Sequence, residues 1–191
     1  MLSTAFIAQL ETQVQALSAT VDGQLRPLPS QELNYKPTPT AWSVLECLEH
    51  LNRYSRFYNP ELARALQSAP AGAPHEVGFS WLGRKSYDTV KPENHKLQKT
   101  VKHMNPAGSQ LTAEVVEEFL RHQQQLLQLL AAARTANLNR KAVRVEFFRL
   151  LKLRLGEALQ FVVAHEQRHV QQALRAAQTA QARGQEAVLV V

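Results

Sequence analysis

Leu155-Gly-Glu-Ala-Leu-Gln-Phe-Val-Val-Ala-His-Glu-Gln-Arg-His-Val-Gln-Gln172 is the stretch on which the reading of this 191-residue chain turns. Ala158, Phe161, Val162, His165, His169, Gln172, Ala173 and Ala176 recur at steps of three and four, the period of a helix with one face turned to a core. Two histidines interrupt that apolar stripe. At 3.6 residues per turn, a separation of four sets the imidazoles of His165 and His169 about one turn apart on one face, where both can reach a single metal ion. On a buried face each ring nitrogen needs a partner once water is gone. A cation would serve both rings, and an ordinary satisfied core contact is the alternative reading.

Outward from this segment, three further helices are expected, and the chain reads as all-α. The first, from about Thr4 to Val21, carries Phe6, Leu10, Val14, Leu17 and Val21, and Pro27 and Pro29 end it. Leu33 to Trp42 is an extended connector, because proline disfavours helical geometry in the residue before it. Thr40 or Ser43 then caps a second helix running to about Gln67. It opens Ala41-Trp-Ser-Val-Leu-Glu-Cys-Leu-Glu-His50. If it packs beside the first-quoted segment, His50 completes a three-histidine site.

A long connection from Ser68 to about Leu111 follows, with room for a short helix, and Trp81 and Leu82 are expected to anchor it. Thr112 is the expected N-cap of a third helix that fades near Asn137. Between Val143 and Leu155 apolar and basic residues mix without a clear cap. The last helix is firm from Leu155, and a tail is expected from about residue 184.

Composition limits what such a site can serve. A chain of 191 residues, 45% hydrophobic, can bury one substantial core, and 1–191 reads as a single domain. No basic n-region precedes an early apolar run, and no segment approaches the ~18 consecutive apolar residues of a membrane span, so a cytoplasmic protein is expected. The single Cys47 excludes an intramolecular disulfide. It lies three residues before His50 and reads as a small buried hydrophobe, with a place beside a metal as the other possibility. The net charge of +6 raises nucleic acid as a partner, and Lys and Arg are densest in the segment 134–154. No nucleic-acid motif accompanies them and aromatics are confined to Phe147 and Phe148, so a solvated face is expected, with an anionic substrate or partner as the alternative.

The segments Trp42 to Leu51 and Leu155 to Gln172 together resemble the two signature stretches of the DinB-like superfamily, and helix order and lengths agree over most of the chain. The resemblance implies a four-helix bundle of up-down-down-up topology with a long connection between helices 2 and 3. It implies a divalent metal, zinc or nickel most often, held by His50, His165 and His169. Activities in the family include metal-dependent thiol S-transferases and thiol-dependent isomerases, with links to stress and detoxification. Many members have no assigned activity, and homodimers are common, although no stripe in this chain demands one.

The chemistry of such a site follows from its donors. Three neutral imidazoles leave positions open for water or substrate. A small thiol brought there would lose its proton and could attack an electrophile, which is the favoured reading. Hydrolysis by an activated water is the second, and a non-catalytic metal-binding or scaffold protein the third. Glu46, one turn before His50, and Gln172, three residues after His169, are the candidates for holding the ligand imidazoles in orientation. Glu166 and Arg168 are expected to point away as surface or interhelical charges. His75, His95 and His103 should be solvated and His122 should sit at the rim of its helix. Trp42, if buried, should cost roughly 3 to 5 kcal/mol on truncation to alanine.

Overall fold

Eighteen residues from Ser3 to Thr20 form α1, which buries Phe6, Ile7, Leu10, Val14 and Leu17 and runs on through a single π turn, Val21–Leu25. The computed structural model describes residues 1–94, 96, 99–146 and 148–189. After a one-turn helix α2 (Ser30–Leu33), α3 spans Val44–Gln67. Of the two expected caps Ser43 is the one used: its Oγ accepts from the Glu46 N–H at 3.2 Å, and its own N–H donates to Glu46 Oε2 at 2.9 Å. This reciprocal pair is the capping box.

The long connection holds α4 (Trp81–Val90), capped by Ser80, and a short 3-10 turn at Lys102–Met104. Its anchoring departs from expectation at one residue. Leu82 packs on the core as expected, whereas Trp81 is 74% exposed, since the face of α4 that meets α6 carries Leu82 and Gly83 instead. α5 covers Glu114–Ala133. Thr112 does not cap it with its side chain; its carbonyl accepts from the Val115 N–H and the helix begins two residues later.

The all-α expectation is corrected between residues 141 and 154. β1 (Lys141–Val145) and β2 (Phe148–Arg154) pair antiparallel in a two-stranded ribbon, pairing Lys141 with Arg154 and Val143 with Leu153. The physical reason is a period of two. Val143 and Val145 turn inward while Arg144 between them faces solvent, the alternation of a half-buried strand, and a register shift before Val143 lets Lys141 face solvent as well. Of the basic segment, Lys141, Arg144 and Lys152 are exposed on this ribbon. Phe147 lies outside the described residues. α6 then runs over Leu155–Leu189, so Gly184 sits within the helix and not in a tail. Val190 and Val191 lie outside the described residues.

The protein is therefore mostly helical with one small sheet. α3 packs against α5 and α6, and α1 against the same two helices. Apolar side chains form two clusters, one around Phe6, Tyr58, Leu130, Phe161 and the ribbon residues Val143 and Leu153, the other around Leu25, Leu48, Phe119 and Val170. Along each of three helices a polar residue marks the change of cluster: Asn52 and Ser55 on α3, Gln123 on α5, His165 and Glu166 on α6, all buried. A polar layer thus crosses the helical body at the level of the histidines.

Candidate metal centre

His50 on α3 and His165 and His169 on α6 meet at this layer, with one ring nitrogen of each lying within 4.8 Å of the others. The expected trio is brought together across 115 residues of chain, His50 Nε2 standing 3.2 Å from His165 Nε2. His50 is 2% exposed and His165 6%, while His169 is the most open of the three.

Two of the rings are oriented by their other nitrogen. His50 Nδ1–H donates to the Met104 carbonyl at 2.8 Å, and His169 Nδ1–H to Gln172 Oε1 at 3.0 Å. An acceptor at Nδ1 fixes the proton there in a neutral imidazole, so Nε2 presents a lone pair. Burial also keeps these rings neutral, holding His50 down to about 4 and His169 to about 3. His165 is pushed the same way, first by burial and then by its two histidine neighbours.

Neutral imidazoles with fixed lone pairs are the form in which histidine binds metal. Bonds of ~2.0–2.1 Å in a tetrahedral zinc site imply ligand nitrogens about 3.3 Å apart. The His50 to His165 separation of 3.2 Å agrees. The donor set therefore suits a divalent cation, and these three histidines could hold one.

The candidate orienting residues separate. Gln172 holds His169 as expected. Glu46 does not hold His50, because its two oxygens are committed to the Ser43 cap and to Lys36 Nζ at 3.1 Å. The Met104 carbonyl takes its place, reached from the far end of the long connection. Arg53 fixes that carbonyl by gripping both flanks, donating to the Asn105 carbonyl at 2.8 Å and the His103 carbonyl at 3.3 Å while paired to Glu49 at 2.8 Å.

Of the two places offered for Glu166, surface or interhelical, it takes the interhelical one, buried, and loss of solvation raises its carboxyl to about 8. Arg168 does not point away: it lines the pocket and donates to the backbone carbonyls of Asn94 and Lys96. His75 is half-buried, against expectation, whereas His103 is 65% exposed, as expected. His75 Nε2 accepts from the Leu138 N–H at 3.1 Å, and His103 Nε2 pairs with Glu146. His95 lies outside the described residues, and His122 sits at its helix rim between Glu118 and Gln125. Cys47 is buried in the apolar cluster around Leu48 and Phe119, the small-hydrophobe place expected of it, and burial pushes its thiol up.

The cluster forms the floor of a cavity of about 1040 Å³. Trp42 is half-buried in its wall and not sealed in the core, its ring 4.8 Å from that of His50 and 5.6 Å from that of His169. Tyr54 lies opposite, 4.9 Å from His50 and 4.5 Å from His165, its hydroxyl pushed up to about 12 mainly by burial. Tyr54 was legible in the sequence: it follows His50 by four residues and so shares its face.

Comparison with known proteins adds three findings. Residues 9–173 match the DinB superfamily. The uncharacterized protein YuaE of Bacillus subtilis (strain 168) is 26% identical over 156 residues, covering 78% of this chain and 85% of its own. No solved structure matches.

Proposed function

This chain belongs to the DinB superfamily, and from that premise we propose that it is a metal-dependent enzyme that transfers a small thiol to an electrophile, with His50, His165 and His169 as the metal ligands. One observation carries the reading: three neutral imidazoles, two with their lone pairs fixed by a partner at Nδ1, converge on the floor of a cavity large enough for a small organic molecule. A divalent cation held there would act as a Lewis acid, lowering the pKa of a thiol or water delivered to its open positions.

The chain's own residues supply the rest. Trp42 and Phe161 provide apolar wall beside the cluster, and Tyr54 offers a phenol that stays protonated at neutral pH and can donate to a developing anion. The Met104 carbonyl and Gln172 hold two imidazoles through any change at the third. In this reading α1, α3, α5 and α6 make a four-helix bundle of up-down-down-up topology, a single cytoplasmic domain with a role in stress or detoxification. Hydrolysis is the second reading, since the same open positions would take and activate water. The test is consumption of thiol with a model electrophile by zinc- or nickel-loaded protein. Turnover that needs metal and vanishes in a folded His169→Ala variant supports transfer, and metal-dependent cleavage of an ester without thiol would put hydrolysis in its place.

A further inference from the structure

The charge of the cavity wall is one-sided. Lys85 from α4, Lys99 from the connection and Arg168 from α6 line it, and among the described residues no Asp or Glu does. Among the described residues neither Lys85 nor Lys99 forms an ion pair, although Arg26, Arg64, Lys91 and Arg134, which are also on the surface, each hold a carboxylate. Arg168 spends its terminal nitrogens on the carbonyls of Asn94 and Lys96, which leaves its charge unneutralised beside the cavity. Ser86 and Thr100 add hydroxyls to the same wall, whereas the Thr89 hydroxyl donates to the Lys85 carbonyl and those of Thr38 and Thr40 bond each other.

Three imidazoles carry no charge, so a cation they held would keep its full charge and add to this field. A concave wall of one sign with apolar sides concentrates ions of the opposite sign. We propose that the cavity takes a small organic anion, a substrate bearing carboxylate or phosphate that Lys85 and Lys99 engage while its reactive end lies at the histidines. The proposal deepens the functional reading above and rests on it for the reaction, but the wall itself is a property of the metal-free chain.

Calorimetric titration separates the two. Succinate is titrated into metal-free protein, and mercaptosuccinate and the neutral thiol monothioglycerol into zinc-loaded protein. The wall predicts that succinate binds metal-free protein and that Lys85→Gln/Lys99→Gln weakens it about tenfold, the scale of one charge-assisted hydrogen bond. A control of equal charge change on the ribbon, Lys141→Gln/Arg144→Gln, leaves binding in place. Mercaptosuccinate should exceed monothioglycerol by about tenfold in the parent, falling to about twofold in the cavity variant. Succinate binding that is absent, or equally weakened by both double variants, overturns the anion site. Failure of either thiol to respond to zinc, with the succinate result intact, overturns the metal reading alone.

Discussion

Each imidazole of the cluster has one nitrogen whose partner decides where the other points. For His169 that partner is Gln172, and Gln172→Ala frees the ring to rotate without touching the nitrogen that faces the cluster. Loss of an outer hydrogen bond of this kind costs about 10- to 100-fold in metal affinity. Competition with a chromophoric chelator should show that loss, and an unchanged Kd would make Gln172 a bystander. The placements legible from spacing were those on one helix: His165, His169 and Gln172 are fixed relative to one another by the 3.6-residue period alone. Glu46 failed because a carboxylate three residues into a helix has a nearer use, at the cap. The partner His50 does use, a carbonyl 54 residues away, carries no side-chain signal.

At the scale of elements, α4 is held to α6 by one buried carboxylate. Glu157 accepts from the Ser80 N–H at the start of α4 and from the Arg154 N–H at the end of β2, the latter at 2.8 Å. A Cβ on Gly83 would lie 2.3 Å from Glu157 Cδ, so only glycine permits the approach. Gly83→Ala should therefore destabilise the fold by about 1–3 kcal/mol, as overpacking does. Urea unfolding measures it, and a midpoint equal to that of the parent would mean that α4 shifts freely. The ribbon shows why one element was misread. Only Val143 to Val145 alternates, and so short a signal beside a long helical one is lost when a period of 3.6 is sought. The long connection hid the cavity wall for a related reason: Lys85 and Lys99 lie on separate pieces of backbone, and no spacing rule brings them together.

For the whole molecule, the buried histidines tie stability to pH. Burial holds His50 near about 4 and His169 near about 3, below the ordinary 6.5, and holds His165 lower than ordinary as well. Above 6.5 all three are neutral folded or unfolded, so they impose no penalty. As pH falls below 6.5 the unfolded chain takes up protons that the folded chain refuses, and stability declines by about 1.4 kcal/mol per pH unit for each histidine. Chelator-treated protein unfolded in denaturant at pH 7.5, 6 and 5 should show that decline, and a flat profile would contradict the burial. Among the described residues no helix is long and apolar enough to cross a membrane. The four long helices were legible from their stripes, and the meeting of His50 with the pair on α6 was legible only as a condition on how those helices pack. That meeting is the central claim, and elemental analysis of untagged protein beside a folded His50→Ala/His169→Ala variant tests it most directly. About one equivalent of divalent metal in the parent and little in the variant is the predicted result. A parent that takes up no zinc, nickel or manganese, or a variant that binds as much as the parent, would contradict it.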